Sequence, residues 1–264
     1  MSKIRVVVHG ALGKMGQEVI KAVNQDIETE LTGVVDQHLS KDSGEIPNCP
    51  ITVPSSNQIS ELLLNTDVIV DFTNSEAAYN LIKIAPKAKT HLVIGSTGIT
   101  DEIYQEAQKQ SEANNTGIVI APNFAMGAVL MMHLAKISGK WFEYADLIEM
   151  HHEGKIDSPS GTAIAIAEAA GKERKTKFQS PESQKELIKN SRGGVSKSGV
   201  SVHSGRMPGR VAFHELVFGH LGQTLTIKHD SINRESFMPG VLMAVKSVTK
   251  TPGLTVGLEK IMGL

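Results

Sequence analysis

The segment IRVVVHGALGKMG, residues 4–16, decides the fold of this chain of 264 residues. Residues 4–10 are apolar and largely β-branched, which predicts a strand, and residues 13–23 carry apolar side chains at helical spacing. Three glycines stand where the strand turns into the helix: Gly10, Gly13 and Gly16. Glycine there permits a tight turn, a close approach of the backbone to a pyrophosphate, and close packing of helix on strand. Because a helix N-terminus also offers free N–H groups to phosphates, the segment predicts a dinucleotide site.

The spacing of these glycines, GxxGxxG, differs from the more usual GxGxxG, so the motif is weak by itself. Its context strengthens it, because residues 31–36 read as the next strand and Asp36 ends that strand 20 residues after Gly16. A carboxylate at that place suits the ribose hydroxyls of NAD. The alternative interpretation is a glycine-rich turn that binds no ligand.

Strand-like and helix-like segments alternate as far as Asn123. The further predicted strands are 67–73, 91–97 and 117–123, and the predicted helices are 75–85, with Ser75 as its N-cap, and 101–114. Strands of nearly continuous Val and Ile, separated by helices, indicate a parallel sheet covered on both faces. The predicted fold class is therefore α/β, with a Rossmann-type doubly wound sheet.

Two more loops follow predicted strands at the edge where open α/β sheets bind ligands. They are GSTG, residues 95–98, and APNF, residues 121–124. Small residues with free N–H groups suit contact with a nicotinamide riboside, although ordinary turn chemistry explains them as well.

The pattern changes after Asn123. The predicted elements are a helix at 126–140, a strand at 144–152, a helix at 160–171, a polar surface excursion at 172–194, three consecutive strands at 199–207, 210–219 and 223–231, and a helix at 236–248. Strands in succession without helices between them are typical of an antiparallel or mixed sheet. We therefore predict a second, α+β domain.

The segment EMHHEGKIDSPSGTA, residues 149–163, concentrates ionisable groups ahead of a helix. His151 and His152 end a predicted strand, so their side chains point to opposite sides, and Lys155 in the following loop can reach the same cleft as one of them. Ser160, Gly161 and Thr162 form the helix start, where N–H groups and hydroxyls suit a carboxylate. The segment predicts a small cationic pocket for an anionic substrate that needs a proton.

Each of these residues has an ordinary alternative. A histidine is often structural, a loop lysine is often solvated, and Asp157 or Ser160 can simply cap a helix. A zinc site on His151 and His152 is disfavoured, because adjacent strand residues diverge and no third and fourth ligand follow at suitable spacing. We predict no metal.

Composition narrows the class of protein. A net charge of -1 and an aromatic content of 4% argue against binding of nucleic acid. The single cysteine, Cys49, permits no internal disulfide, which is typical of a reducing compartment. The N-terminal sequence has no signal-like apolar core, and no run approaches the roughly 18 apolar residues of a membrane span. We predict a cytoplasmic globular protein without membrane or nucleic-acid partners.

The ordered set HGALGKMG, DFT, GSTG, APNFAMG, EMHHEGKIDSPSGTA and HDSINRESFMPGV resembles the dihydrodipicolinate reductase family over nearly the whole chain. The resemblance implies reduction of 4-hydroxy-tetrahydrodipicolinate to tetrahydrodipicolinate with NADH or NADPH, in diaminopimelate and lysine biosynthesis. It implies a dinucleotide-binding domain at 1–125, to which 234–264 returns, and a substrate-binding and tetramerisation domain at 126–233. The expected assembly is a homotetramer.

The resemblance also implies roles for residues. The catalytic pair falls on His151 and Lys155, which would reprotonate the ring after hydride transfer to its C4. Substrate contacts fall on His152, Ser160, Gly161 and Thr162. Cofactor contacts fall on Gly10, Ala11, Leu12, Gly13, Lys14, Met15, Asp36, Gly95, Ser96, Thr97, Ala121, Pro122, Asn123 and Phe124.

One departure from the family concerns the cofactor. Many members carry an arginine after the acidic residue, able to meet the 2′-phosphate of NADP, whereas Gln37 and His38 follow Asp36 here. Lys41 is a candidate replacement for that arginine. Because Asp36 would repel a 2′-phosphate, the expectation leans towards NADH, with use of both cofactors left open.

Two other functions fit parts of the pattern. One is another Rossmann reductase for a small acid, although Cys49, in a polar loop before Pro50, does not suit a thiohemiacetal mechanism. The other is a nucleotide-sensing protein that binds a metabolite without converting it.

Overall fold

The structure is a computed structural model that describes residues 2–39, 45–50, 52–181 and 185–264. Contacts between residues divide the chain into two compact units. The first unit extends to Phe124 and resumes at Phe237–Gly263, and the second spans Ala125–Ser236. Among the described residues, no helix is both long enough and apolar enough to cross a bilayer.

The first unit is built on a seven-stranded sheet in which every described pair of neighbouring strands is parallel. Numbered along the chain, its strands are β1 (Ile4–His9), β2 (Thr29–Val35), β3 (Ser55–Ser56), β4 (Val68–Asp71), β5 (His91–Ile94), β6 (Gly117–Ile120) and β12 (Gly253–Val256). Their order is β12-β6-β5-β4-β1-β2-β3. The chain thus winds in one direction from β1 to β3 and in the other from β4 to β6, and the change of direction lies between β1 and β4. Open α/β sheets bind ligands at such a point.

Helices accompany this sheet: α1 (Lys14–Gln25), α2 (Ser75–Ile84), α3 (Asp101–Asn114), α6 (Met238–Val248) and the short α7 (Glu259–Met262). Every residue of β4 and of β6 is buried, as expected for strands covered on both faces. The core includes Val7, Ile69, Leu92 and Ile118, all fully buried. The prediction of a Rossmann-type doubly wound sheet is confirmed.

Strands β3 and β12 and the short helix α7 of this unit were not predicted from the sequence, and one predicted helix cap is wrong. Strand β12 was not predicted, because its four residues are only half-buried at the sheet edge and give a weak hydrophobic pattern. The predicted N-cap Ser75 is wrong: the side chain of Asn74 caps α2 by accepting a hydrogen bond from the Ala77 N–H at 3.0 Å. Either residue type can cap a helix, and the choice depends on which side chain reaches back to the first turn.

The second unit contains a five-stranded sheet of order β11-β10-β7-β9-β8. Its elements are α4 (Met126–Gly139), β7 (Tyr144–His151), α5 (Gly161–Gly171), β8 (Gly194–Val195), β9 (Ser201–Arg206), β10 (Ala212–His220) and β11 (Gln223–Ser231). Strands β7 and β9 are parallel and the other described pairs are antiparallel, so the predicted mixed sheet is confirmed.

One face of this mixed sheet is buried. Alternate residues of β7 point inward, namely Ala145, Leu147, Glu149 and His151. Apolar side chains of α4 and α5, such as Met131 and Ile166, belong to the same core cluster as Leu147 of β7. The period of two along β7 therefore puts Glu149 and His151 on the core side of the sheet.

The predicted surface excursion at 172–194 is mostly exposed in its described residues, with one exception. Phe178 is 4% exposed and packs on Phe218, with 5.9 Å between ring centroids. One aromatic side chain therefore anchors this segment to the core, which its polar composition did not predict.

Candidate active site

The glycine-rich turn after β1 leaves no room for side chains at two positions. Gly10 has φ +87°, and a Cβ there would lie 3.0 Å from the carbonyl oxygen of Phe72. A Cβ on Gly16 would lie 2.1 Å from the carbonyl oxygen of Gly10, so α1 packs directly on the turn. Glycine is therefore required at both positions, as the sequence motif predicted.

The N-terminus of α1 is open to a ligand. Gly13 precedes the helix and has no side chain with which to cap it, and the first turn, which is fully described, holds no acidic residue. Both α2 and α5, in contrast, are capped by side chains, those of Asn74 and Ser160. An uncapped N-terminus at a glycine-rich turn has the N–H groups and the positive dipole end that bind a pyrophosphate.

Asp36 lies directly against this turn. Its side-chain oxygen Oδ2 accepts a hydrogen bond from the Leu12 N–H at 3.1 Å, and Oδ1 accepts one from the His38 N–H at 3.1 Å. The residue is 8% exposed, so the carboxylate is fixed at the end of β2. Lys41, the candidate for a 2′-phosphate contact, lies outside the described residues.

The loop after β5 is tied to β4 by the carboxylate of Asp71, which is fully buried. The Ser96 hydroxyl donates to Asp71 Oδ2 at 2.6 Å, and the Thr73 hydroxyl donates to Oδ1 at 2.7 Å. His9 Nδ1 lies 2.7 Å from the same Oδ1. The hydroxyl of Ser96 therefore holds the loop in place. The structural roles of Asp71 and His9 were not predicted from the sequence.

The remaining residues predicted to bind cofactor lie in the turns after β5 and β6. Gly95 is needed for packing, since a Cβ there would lie 2.2 Å from the Phe72 ring. Ala121 and Phe124 are buried, whereas Thr97 and Pro122 are exposed. Because β6, β5, β4, β1 and β2 are consecutive in a parallel sheet, the structure brings the turns that follow β1, β2, β5 and β6 to one edge.

In the second unit, the two adjacent histidines have different environments. His151 is the last residue of β7 and is 6% exposed, whereas His152 lies beyond the strand and is exposed. The predicted strand end at residue 152 is therefore one residue too long. The Lys155 N–H donates to the carbonyl of His152 at 3.1 Å, which closes the turn that carries the lysine.

Asp157 connects the lysine to the start of α5. Its Oδ1 accepts a hydrogen bond from Lys155 Nζ at 2.6 Å, and its Oδ2 accepts one from the Gly161 N–H at 3.3 Å. The hydrogen bond from Lys155 lowers the pKa of the Asp157 carboxyl below its usual range. Ser160 caps α5 by accepting from the Ala163 N–H at 3.1 Å, and Thr162 is half-buried in the first turn.

A buried cluster of polar groups surrounds His151. Its Nδ1 hydrogen-bonds Glu149 Oε2, and Arg206 Nη2 donates to Glu149 Oε1 at 2.9 Å. The ring of His214 packs edge-on against that of His151, with centroids 5.4 Å apart. His214 is 2% exposed, and its Nε2 lies 3.4 Å from the Ser160 hydroxyl oxygen.

The pKa values in this cluster are shifted for physical reasons. Burial alone raises the pKa of Glu149, but hydrogen bonds from Arg206 and Ser204 outweigh it, so the net pKa is lowered. Burial lowers the pKa of His151, although the Glu149 carboxylate acts in the opposite direction. Burial lowers the pKa of His214 to about 4. Glu149 is therefore ionised and His214 neutral near pH 7, while His151 can exchange a proton.

The side chains of Glu149, His151 and His214 also have the geometry of a possible metal group, with ligand atoms within 4.8 Å of one another. The Arg206 guanidinium already neutralises Glu149, and the carboxylate already binds Nδ1 of His151. A cation would have to compete with both contacts, so the arrangement favours an ion-paired network over a metal centre.

Three residues of this cluster were missed by the sequence analysis: Glu149, Arg206 and His214. Glu149 could have been found, because a carboxylate two residues before His151 on a strand lies on the same face. The other two come from β9 and β10, and only strand pairing brings them to the histidine.

A glycine-rich turn at the switch point of a parallel sheet, and a second unit with an imidazole, an ammonium and a helix N-terminus, define a two-unit nicotinamide-dependent oxidoreductase. Sequence models described as dihydrodipicolinate reductase, N-terminus, and dihydrodipicolinate reductase, C-terminus, match residues 4–124 and 127–262 respectively. The chain belongs to the dihydrodipicolinate reductase family.

Individual relatives agree with this assignment. A 4-hydroxy-tetrahydrodipicolinate reductase from Dehalococcoides mccartyi is 42% identical over 266 residues, with 100% of each chain covered. One from Dictyoglomus turgidum is 43% identical over 264 residues and covers 98% of each chain. The structure is similar to that of a dipicolinate-bound dihydrodipicolinate reductase from Paenisporosarcina sp. TG-14, with TM-score 0.88, 37% identity, and coverage of 98% of this chain and 99% of that one. An amine dehydrogenase from Mycobacterium smegmatis, 14% identical with TM-score 0.65 and coverage of 96% and 95%, shares the fold alone.

Proposed function

We propose that this protein reduces 4-hydroxy-tetrahydrodipicolinate to tetrahydrodipicolinate with a reduced nicotinamide cofactor, in diaminopimelate and lysine biosynthesis. Family membership supports the reaction, and one local observation supports the site: the carboxylate of Asp157 is bound by Lys155 and the Gly161 N–H. The start of α5 therefore has the donors and the positive charge that a substrate carboxylate needs.

The proposed substrate contacts follow from this geometry. Gly161 is exposed, and its N–H, which donates to Asp157 Oδ2 at 3.3 Å, would donate to a substrate carboxylate that takes the place of Asp157. Thr162 offers a hydroxyl in the same turn, Ser160 fixes the helix start by capping it, and His152 offers an exposed imidazole. The four residues proposed to bind the substrate are His152, Ser160, Gly161 and Thr162.

The proposed catalytic residues are His151 and Lys155. His151 holds or releases a proton at Nε2, because Nδ1 is engaged by Glu149. The ammonium of Lys155 stabilises negative charge that develops on the ring and keeps the substrate carboxylate in place. Both groups belong to the second unit, so this unit carries the acid–base chemistry of the reaction.

The first unit is the proposed dinucleotide domain, with the turns after β1, β2, β5 and β6 as its contacts. The uncapped start of α1 and the space kept free by Gly10 and Gly16 suit a pyrophosphate. When bound, the reduced nicotinamide supplies the hydride. The residues that we propose to contact the cofactor are 10–15, Asp36, 95–97 and 121–124.

We propose a preference for NADH. The buried carboxylate of Asp36 is fixed beside the turn by Leu12 and His38, so a 2′-phosphate near it would meet like charge. The ribose hydroxyls of NADH, in contrast, can donate hydrogen bonds to the same carboxylate. The ratio of kcat/KM for the two cofactors measures the preference.

We also propose that the chain forms a homotetramer through its second unit and is located in the cytoplasm. The second unit would serve as the substrate-binding and tetramerisation domain, supported by partly exposed apolar side chains on its sheet, such as Tyr144 and Leu225. Light scattering coupled to gel filtration measures the number of subunits. A cytoplasmic location fits the single cysteine, Cys49, which is free.

The test follows the loss of NADH or NADPH absorbance, with substrate generated in situ by the preceding synthase. Wild type, His151→Ala and Lys155→Ala are compared, with exposed His220→Ala and Lys197→Ala as matched controls. We expect the first two variants to lose kcat by about 100-fold or more, the controls to keep it, and all five proteins to bind cofactor equally. If wild type binds cofactor and substrate tightly but does not oxidise NADH or NADPH, the proposed enzymatic activity is refuted and a sensor function is favoured.

A further inference from the structure

We propose that Glu149 is a positioning residue for His151, and that Arg206 holds Glu149 in place. The carboxylate would fix the imidazole through Nδ1 and so direct Nε2 to the reaction. This inference rests on the proposed function, because it assigns a task to residues around the proposed proton donor. It is supported by the register of the strands in the second unit and by the burial and hydrogen bonds of Glu149, His151 and Arg206.

Strand geometry brings the carboxylate and the imidazole together. Glu149 and His151 are two residues apart on β7 and both point to the core side. Glu149 is fully buried and His151 is 6% exposed, so water does not compete for the contact between Oε2 and Nδ1. A buried carboxylate that is also ionised is an acceptor only, and Nδ1 must therefore be the protonated nitrogen of the neutral ring.

Arg206 explains how the buried carboxylate stays ionised. It lies opposite His151 in the parallel pairing of β7 with β9, and its Nη2 is 2.9 Å from Glu149 Oε1. The same Nη2 donates to the carbonyl of Asp157 at 2.7 Å, and Nη1 donates to the carbonyl of Gly205 at 2.7 Å. One guanidinium thus connects the carboxylate behind His151 with the loop that carries Asp157 and Lys155.

His214 completes the environment of the histidine. It pairs with Glu149 across β10 and β7, and its ring meets His151 edge-on at 5.4 Å. Burial and the neighbouring His151 lower its pKa to about 4, so it remains neutral and does not compete for the proton near pH 7. The charged or titratable groups that act on His151 are then Glu149, Lys155, Arg206 and His214.

The first experiment compares Glu149→Gln with wild type, and uses Glu215→Gln, on the neighbouring strand β10, as the matched control. Glutamine keeps the shape but can donate to Nδ1, which favours the other tautomer of His151. We expect kcat to fall about 100-fold, with the KM for substrate and the affinity for NADH changed less than about threefold. Glu149→Asp, which keeps the charge, should retain more kcat than Glu149→Gln.

A pH profile separates this role from a merely structural one. Glu149 raises the pKa of His151, so its neutralisation lowers that pKa. If protonated His151 donates the proton, kcat of Glu149→Gln should fall on the alkaline side at a lower pH than in wild type. A loss of kcat without any shift of the profile would mean that Glu149 only supports the fold, and would overturn the proposal.

The tautomer of His151 can be read without turnover. Nitrogen NMR of histidine-labelled protein, with His151→Gln to assign the signals, should show Nδ1 protonated in wild type and Nε2 protonated in Glu149→Gln. Unchanged signals in Glu149→Gln would overturn the positioning role even if the enzyme is active. If wild type does not oxidise cofactor, the proposed function is wrong. The NMR signals of His151 still show whether Glu149 fixes its tautomer, so the two failures can be distinguished.

A second variant covers the case in which Glu149→Gln does not fold. Arg206→Lys keeps the positive charge but loses the planar fork that reaches Glu149 and Asp157 together. We expect a kcat loss of about tenfold with an unchanged KM for NADH. Wild-type kcat in Arg206→Lys would overturn the part assigned to the arginine.

Discussion

The glycine-rich turn of the first unit and the histidine motif of the second, the two binding sites that we propose, are built in different ways. The turn is made of backbone: Gly10 and Gly16 leave space, and the uncapped start of α1 provides N–H groups. The motif is made of side chains, and two of its contacts pair opposite charges, Lys155 with Asp157 and Glu149 with Arg206 of β9.

The two sites should therefore fail in different ways. Added volume damages a backbone site, because close-packed backbone atoms cannot rotate away from a new methyl group as the end of a side chain can. A change of charge with no change of shape damages a side-chain site, because a buried partner is left without its counter-charge. Substitutions that add volume and substitutions that change only charge separate these effects.

The largest effect is expected for Gly16→Ala. The new methyl group would lie 2.1 Å from the Gly10 carbonyl oxygen, so the turn and α1 must separate. We expect the dissociation constant for NADH, measured by fluorescence titration, to rise by about 100-fold, and the unfolding free energy to fall by about 1–3 kcal/mol. The control is Gly194→Ala, where a Cβ meets no atom of the described residues within 4 Å and neither quantity should change. Wild-type affinity in Gly16→Ala would show that the close packing is not needed.

The buried histidines of the second unit should make its stability depend on pH. In the folded state the pKa of His214 is lowered to about 4, against about 6.5 when unfolded, so in that interval only the unfolded state binds the proton. Stability should therefore fall as pH decreases from about 6.5 to about 4, by at most roughly 3 kcal/mol from this residue.

Thermal unfolding at pH 7.5 and pH 5 measures this dependence. His214→Phe removes the titrating group and should reduce the difference between the two melting temperatures. His151 and His229 of the second unit also have lowered pKa values, caused first by burial, so part of the dependence should remain. The exposed His220→Asn should behave as wild type, and an undiminished difference in His214→Phe would contradict the assignment.

A smaller effect is expected for Asp36→Asn. The amide keeps one oxygen for the Leu12 or His38 N–H but loses the negative charge. We expect kcat/KM with NADPH to improve relative to that with NADH by about fivefold to tenfold, because about 1 kcal/mol of repulsion is removed. Asp101→Asn, in the first turn of α3, is the control for a charge change elsewhere in the unit. An unchanged ratio would mean that Asp36 does not set the cofactor preference.

The smallest effect compares two helix caps. Asn74 caps α2 and Ser160 caps α5, each by one hydrogen bond to a backbone N–H. Replacement by alanine should cost about 1 kcal/mol of stability in each case, measured by chemical denaturation. Only Ser160→Ala should also raise the KM for the dicarboxylate, because only that cap shapes the proposed carboxylate site. If Ser160→Ala and Asn74→Ala have the same KM for the dicarboxylate, the cap of α5 plays no part in substrate binding.

Much of the geometry of both candidate sites could be predicted because their signals are local in sequence. The glycine spacing and the run from His151 to Thr162 each lie within one strand–turn–helix segment, and Asp36 directly follows a strand, so periodicity and residue type carry the information. The fold class followed from the same alternation of apolar strands with helices, and from the three consecutive strands of the second unit.

The rest depends on contacts between distant segments. Arg206 and His214 reach the histidine motif only through the register of β7 with β9 and with β10, which no local pattern encodes. The contacts of Asp71 with Ser96 and with His9 likewise require the ends of β4, β5 and β1 to meet. Strand β12 was missed because its four half-buried residues carry too little apolar pattern.

The late position of strand β12 in the sequence also affects co-translational folding. During translation, β6 leaves the ribosome long before its sheet partner β12, because all of Ala125–Ser236 is synthesised between them. Until then β6, whose residues are Gly, Ile, Val and Ile, presents an unpaired apolar edge. The second unit is contiguous and can fold in the meantime. An edge-to-edge contact of β6 with another chain is therefore open to the nascent first unit until β12 is made.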